Sequence, residues 1–393
     1  MAFLPYESLV LEPLCEELDQ WRLRLDYRGP LPRRWAGRLR KDLEAEAVAA
    51  STRMEGVHVT VDEVRRILAG DAPLQVRAED RELVEGYAEA MNFVLRRADD
   101  PAFRWTRELV VALHDRVLAG KYSEGAGRLR TETPAFVVNQ MTREQVFLPP
   151  AGEDVPRLVD TLCERMEVGH PHTAIASGWI HVALAAIHPF RDGNGRVARV
   201  GASLAMYRGE FKRPEFTSLE EWWGRHLSKY YGTFGCLGSQ FNSDTDVTSF
   251  IKDHLEAQLH QVRSLDTREK VERQIWTALE EMAEEANLEP RLANALWDAF
   301  FGREVTAGYF RSVTDISPAT ATKDLSAAVS AKLLKAEGMR RGRRYVAEQN
   351  LYELLGRMLH IEVAGPSEAI RGHIASELSQ RLLIAKEMDS PGL

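Results

Sequence analysis

A chain of 393 residues exceeds one ordinary core, and two or three domains are the expectation. Hydrophobic residues at 44%, charged residues at 28% and a net charge of -8 describe an ordinary globular protein with no global attraction to nucleic acid. Three widely spaced cysteines, Cys15, Cys163 and Cys236, exclude a disulfide framework or a CxxC zinc site and suit a reducing compartment. The N-terminus lacks a basic and apolar leader, and no window reaches the length of a membrane span, so a cytoplasmic protein with no membrane partner is expected.

Helical periodicity is nearly continuous, so the fold class expected is mainly α. Residues up to about 35, with Pro5, Pro13, Pro30 and Pro32, read as an arm carrying one short helix. Trp35 to Met54 is rich in strong helix formers and stops at Gly56. Thr60 and Glu63 form a capping-box pattern that opens a helix through about Ala69, and Arg81 to Arg97 predicts another. Ala135 to Leu148 is the exception: two β-rich runs flank a polar turn and close on Pro149-Pro150, which predicts a hairpin. Helices resume at about Val155 and continue to Phe241. A polar connector, Asn242 to Asp246, leads into helices over about Val247 to Ala286.

Beyond it, Val305 to Val313 predicts a short helix, Ser317-Pro318 a capped turn, Ala319 to Leu334 one or two helices, and Gly338 to Val346 a basic hairpin. This order resembles a winged helix-turn-helix. Lys323 falls on its second helix, and Arg340, Arg341, Arg343 and Arg344 crowd the wing. Those arginines suit DNA phosphates, a protein partner or simply a solvated hairpin.

The chemistry concentrates in Ile187-His188-Pro189-Phe190-Arg191-Asp192-Gly193-Asn194-Gly195-Arg196-Val197-Ala198-Arg199, a glycine-bearing turn between two helical stretches. Converging backbone N–H groups at a helix start favour an anion. His188 is a candidate general base, since imidazole titrates near neutrality and Pro189 leaves it at an open helix end. Asp192 is a hard oxygen ligand suited to Mg²⁺ beside phosphates. Gly193, Asn194 and Gly195 let the backbone approach phosphates, with the Asn194 amide as a further donor. Arg196 and Arg199 share a helix face and would offset anionic charge. Phe190 reads as a packing anchor and His181 as a core histidine. His170 and His172, in a Gly/Pro loop, read as solvated.

The run matches the Fic-family signature HPFx[DE]GNGRxxR, and the resemblance extends from roughly Trp105 to Leu237 and more loosely over the chain. It implies a Fic-type helical core with a β-hairpin flap, behind an N-terminal helical segment. It further implies a nucleotidyltransferase that moves AMP from ATP, with Mg²⁺, onto a Ser, Thr or Tyr hydroxyl of a protein, releasing pyrophosphate. On this resemblance Arg196 grips the β-phosphate and Arg199 the γ-phosphate. Ser51-Thr52-Arg53-Met54-Glu55-Gly56 matches the family's inhibitory pattern [ST]xxxE[GN], with Ser51, Glu55 and Gly56 as its fixed positions. A Glu55–Arg199 pair would then compete with the γ-phosphate. Val137 and Val138 fall where the family docks its target strand. Tyr230 and Tyr231 fall where relatives carry a YY dipeptide near the adenine, whereas His226 replaces an asparagine and Leu184-Ala185 a Phe-Glu pair.

The division expected is 1-100 with an inhibitory helix at about 36-56, a core over 101-242, a helical connector over 243-300, and a winged unit with a terminal helix over 301-393. Partners expected are ATP and a protein target, with self-modification, a homodimer and DNA contact left open. The competing functions are a Fic-core sensor acting as a winged-helix DNA-binding regulator, or an enzyme using another nucleotide donor or removing AMP.

Overall fold

The computed structural model describes residues 3–388 apart from 28–32, 74, 120, 122–124, 132–136, 139–144, 213–218 and 340–341. The fold is mainly α, as its periodicity predicts. Two compact units divide it: Met1–Leu68 with Ala72–Arg263, and Ala69–Asp71 with Ser264–Leu393.

The first unit opens with α1 (Glu12–Tyr27) and α2 (Arg33–Met54). The expected N-terminal arm is instead part of the core. Leu4, Leu11, Leu18 and Leu25 are fully buried, and Trp179 donates its indole N–H to the Leu4 carbonyl at 3.0 Å. Burial of about 1.5–3 kcal/mol for each such side chain outweighs the prolines that suggested an arm. The short α3 (Val61–Leu68) starts on the predicted capping box: Glu63 N–H donates to Thr60 Oγ1 at 3.2 Å and Thr60 N–H to Glu63 Oε2 at 2.8 Å. Next come α4 (Ala78–Ala98) and α5 (Arg107–Val117), the latter capped by Thr106.

Strands β1 (Val137–Val138) and β2 (Gln145–Phe147) pair antiparallel, with Val137 opposite Phe147 and an irregularity before Val138. Ala135, Phe136 and the polar turn of the predicted hairpin lie outside the described residues, and Leu148 bridges Gln240. Three helices then build the centre: α6 (Val155–Val168), α7 (Thr173–Ile187) and α8 (Asn194–Arg208). Trp179, Ile180, Val182, Ala183 and Leu184 are all buried, so α7 is apolar on every side, the mark of a helix enclosed by others. His170 and His172 depart from expectation. His170 Nδ1 meets the Tyr6 hydroxyl at 2.8 Å, and His172 Nδ1 accepts the Ala174 N–H as the α7 N-cap.

Short helices Leu219–Arg225 and Leu227–Thr233 follow. In place of several connector helices, one runs from Thr248 to Glu285.

The second unit packs Trp276 edge-on to Trp297 and buries Phe300, Phe310, Leu325, Leu334 and Leu355. Its helices Ala307–Thr314 and Pro318–Ser330 are followed by antiparallel strands Leu334–Glu337 and Arg344–Ala347. Val305 does not start a helix as predicted; it bridges Tyr345, and Thr306 caps the helix after it. Leu334 likewise belongs to a strand, because the preceding helix closes at Ser330. Ser317 caps its helix as expected, and Lys323 is exposed on it. Of the wing arginines, Arg340 and Arg341 lie outside the described residues, while Arg344 pairs with Glu304 and Glu337.

Candidate functional site

The turn between α7 and α8 is held from three directions. His188 ends α7 in the left-handed conformation (φ 50°, ψ 59°), which a non-glycine residue adopts at a cost of order 1–3 kcal/mol. Arg130, itself buried, stabilises it: Nε donates to the His188 carbonyl at 2.7 Å, and Nη2 to those of Pro150 (2.7 Å) and Ile187 (3.2 Å). Arg130 also donates its backbone N–H to the Pro189 carbonyl at 2.9 Å.

From the second side comes His114. Its ring stacks on Phe190 at 3.7 Å with an interplanar angle of 10°. Nδ1 accepts the Gly127 N–H, so the proton sits on Nε2 and is donated to the Asp192 carbonyl at 3.1 Å. Burial draws this imidazole down to about 4, which keeps it neutral in that role.

The third support is Asn194, whose side chain is buried. It accepts from Phe190 N–H at 2.9 Å and donates to the Phe190 carbonyl at 2.8 Å. One of the two amide protons of Asn194 is thus engaged within the loop, and its backbone N–H lies at the start of α8. Phe190 is buried, as an anchor should be.

Gly193 precedes α8 at φ 75°, where a Cβ would be strained. The first helical bond of α8 is Val197 N–H to the Gly193 carbonyl, at 2.9 Å. The N–H groups of Asn194, Gly195 and Arg196 thus stand at the open helix start, a natural anion cradle.

Around the cradle the charges fall into two pairs. Arg196 Nη2 lies 3.0 Å from Asp192 Oδ2, an i,i+4 contact in which the Asp192 side chain is 64% exposed. Arg199 Nη2 lies 2.8 Å from Glu55 Oε1, across 144 residues of sequence, and Arg199 is buried. Ser51 joins this second pair: Arg199 Nε donates to its Oγ at 3.0 Å and Nη2 to its carbonyl at 3.1 Å. Ser51, Glu55 and Gly56 form the end of α2, where the chain leaves the helix at Gly56 (φ 81°). Glu55 reaches over the cradle itself. A Cβ placed on Gly195 would lie 2.7 Å from its Oε1, so a side chain there would have to displace the Glu55 carboxylate. Helix Leu219–Arg225 meets α2 just before this end, where a Cβ on Gly224 would lie 2.8 Å from that of Ala50.

His188 is partly exposed, and burial draws its imidazole down to about 4. A neutral imidazole offers one of its ring nitrogens as a proton acceptor.

The three residues expected near the adenine make the following contacts. Tyr230 is buried, and its hydroxyl stands between Arg199 Nη1 (3.3 Å) and His181 Nε2 (3.1 Å). Tyr231 donates to the Met54 carbonyl at 2.8 Å, fastening the last turn of α2. His226 stacks on Trp222 at 4.0 Å and holds its carbonyl through Nδ1. Both tyrosines therefore serve Arg199 and α2 in this conformation. On the hairpin, Val137 is partly buried against the core. Arg130 and His114, which hold the loop, carried no sequence signal, because their contacts cross 58 and 78 residues.

Residues 104–206 match the Fic/DOC family. The chain carries a Fic/DOC domain. Over 217 residues it is 27% identical to the protein adenylyltransferase Fic of Nematostella vectensis, covering 53% of this chain and 48% of that one. The chain thus spans about half the length of this curated relative. The crystal structure of a Fic family protein from Desulfovibrio desulfuricans superposes with a TM-score of 0.55 at 19% identity, over 86% of this chain and 96% of that one. A Fic domain containing signaling protein from Bacteroides thetaiotaomicron gives the same score and identity over 65% of this chain and 96% of its own. At such identity the likeness speaks for the Fic fold. Among the described residues no helix is long and apolar enough to cross a membrane.

Proposed function

We propose that this Fic domain is a protein adenylyltransferase held in check by its own helix α2. The observation that carries the reading is the Arg199–Glu55 pair at 2.8 Å, with Glu55 lying over Gly195. A triphosphate seated on the α8 N-terminus would present its γ-phosphate to Arg199, and Glu55 already occupies that guanidinium.

Each residue then has a physical task. The target hydroxyl oxygen attacks the α-phosphorus of ATP, and the bond to the bridging oxygen of pyrophosphate breaks. The His188 imidazole takes the hydroxyl proton. Backbone N–H groups of Asn194, Gly195 and Arg196 receive phosphate oxygens, and Arg196 and Arg199 offset β- and γ-phosphate charge. Asp192 fits Mg²⁺, which favours one or two carboxylates plus phosphate oxygens: its carboxylate is exposed at the mouth of the cradle and one oxygen faces Arg196. When bound there, the ion would neutralise phosphate charge. The β1–β2 hairpin, through Val137 and Val138, would align the target backbone.

The test is incubation with α-labelled ATP and Mg²⁺, with and without Glu55→Gly, reading label on the protein itself and on added proteins. Label transferred by Glu55→Gly and lost on adding His188→Ala supports the reading. A protein that transfers no label in either form, but hydrolyses AMP from a modified protein or labels only with another nucleotide, overturns it in favour of those activities.

A further inference from the structure

An interior cavity of ≈ 20 Å³ is lined by Arg199 but not by Glu55. Its lining includes His181, Glu220, Trp223, His254 and Arg199, all of them buried. Four polar atoms of this lining, His181 Nδ1, His254 Nδ1, Glu220 Oε2 and Trp223 Nε1, make no hydrogen bond to a described residue. Each side chain is at most 2% exposed, and a buried polar atom left without a partner is destabilising. Four such atoms around one cavity need a common explanation.

The hydrogen-bond directions supply it. Ser177 Oγ donates its single proton to the Ala202 carbonyl at 3.0 Å, so it must accept from His254 Nε2 at 3.2 Å. His254 therefore carries its proton on Nε2 and presents a lone pair at Nδ1. The Tyr230 oxygen accepts from Arg199 Nη1, and its proton goes to His181 Nε2. His181 therefore carries its proton on Nδ1 and presents a donor. Burial holds both imidazoles well below their usual range, consistent with the neutral forms. Trp223 Nε1 is a donor in any state. Glu220 takes the Tyr87 hydroxyl on Oε1 at 2.7 Å and, as a carboxylate, presents Oε2 as an acceptor; burial raises its pKa, and the Tyr87 hydrogen bond and Arg199 oppose the rise.

The inventory is two donors and two acceptors, the complement of a single water molecule. About 10–15 Å³ suffices for one water with two to four polar partners, and the cavity provides that room. We infer that this cavity is a structural water site, in which one water accepts from His181 and Trp223, donates to Glu220 and His254, and so locks Arg199 in place from the core side.

The lock follows from what its ends reach. One chain runs from Arg199 Nη1 through Tyr230 to His181. On the other side Arg199 Nε donates to Ser51 Oγ, and the Tyr87 hydroxyl donates to Glu220. A water between His181 and Glu220 ties Glu220 to the Tyr230 chain that ends on the guanidinium. Glu55 takes no part in these contacts, so its departure leaves Arg199 aimed at the cradle through the Tyr230 arm. Glu220, Trp223 and His254 become positioning residues for Arg199.

Two measurements on the unaltered protein test the site without any assumption about its reaction. Long-range ¹H–¹⁵N spectra should show His254 protonated at Nε2 and His181 at Nδ1, and a high-resolution crystal structure should show one water within hydrogen-bond distance of both Nδ1 atoms. The opposite tautomer at either histidine, or a dry cavity, overturns the proposal. The consequence for Arg199 rests on the transfer reading: in the Glu55→Gly background, His254→Phe, which fills the acceptor's place with an apolar ring, should raise KM for ATP severalfold and change kcat less than twofold. A KM unchanged in His254→Phe and also in Trp223→Phe overturns the hold on Arg199. Should no form of the protein transfer label, the transfer reading fails while the tautomers and the water still decide the site.

Discussion

Arg196 and Arg199 lie three residues apart on one helix face, and each holds a carboxylate, yet the two pairs are built for different work. Arg196 meets Asp192 one helical turn away, and that carboxylate is mostly in water. Arg196 is as buried as Arg199, but its partner is local and hydrated, so the Asp192 carboxylate can turn to a metal and leave the guanidinium to a phosphate without any helix moving. Arg199 meets Glu55 across the molecule, buried beside Ser51, Tyr87 and Tyr230. Little solvent screens that pair, and undoing it requires the end of α2 to move. In the proposed function the first pair is part of the binding site and the second is a latch on it.

The largest expected effect is on the base that both pairs surround. His188→Ala should cut transfer by about 10²–10⁴-fold while ATP affinity, read by calorimetry, stays within a few-fold. A comparable rate for the variant removes His188 from the chemistry.

Opening the latch comes next. Removing about 2–3 kcal/mol of bias toward the closed state raises the competent fraction by roughly 30–150-fold, so Glu55→Gly should label itself that much faster than the native chain. Arg199→Ala should show no such gain, and the double variant should match Arg199→Ala, since both effects end on the same guanidinium. Equal rates for Glu55→Gly and the native protein would reduce α2 to an ordinary packed helix.

A smaller change probes the fastening of α2 alone. Tyr231→Phe removes one hydrogen bond to the Met54 carbonyl, worth about 0.5–1.5 kcal/mol, and should activate by roughly two- to tenfold with Glu55 intact. Lower activity in this variant would mean that Tyr231 serves the nucleotide instead.

The smallest effect concerns pH. Burial draws the His188 imidazole to about 4, and a base of depressed pKa stays in its neutral, accepting form at every pH above that value. The rate of Glu55→Gly should therefore change less than about twofold between pH 8 and pH 6 and fall only as pH approaches 4. An acid limb centred near 6.5 would show an imidazole in water.

Much of the site was legible because its chemistry is written in consecutive residues. His188, Asp192, the glycines and the two arginines share one turn, and the geometry of a helix start brings their backbone N–H groups together. The capping box at Thr60 and the cap at Ser317 were legible for the same reason, each being closed within three residues. Val305 was misread because its alternation with Tyr345 depends on a strand about forty residues later. The N-terminal segment was misread because prolines signal a local break, whereas the burial of Leu4, Leu11 and Leu18 depends on the surface they meet.

By itself, then, the sequence determined a helical Fic domain, the order of groups along its signature turn, and a Ser51–Gly56 pattern able to pair with Arg199. Local rules decide these, since helix spacing and turn chemistry act over a few residues. Only the tertiary structure decided that Asn194 clamps Phe190, that Arg130 and His114 hold the loop, and that Tyr230 and Tyr231 serve Arg199 and α2. Each of the last two rests on contacts between residues far apart in the chain, and the Asn194 clamp depends on the loop they hold. Such hydrogen bonds form only where packing has excluded the water that would otherwise take their place.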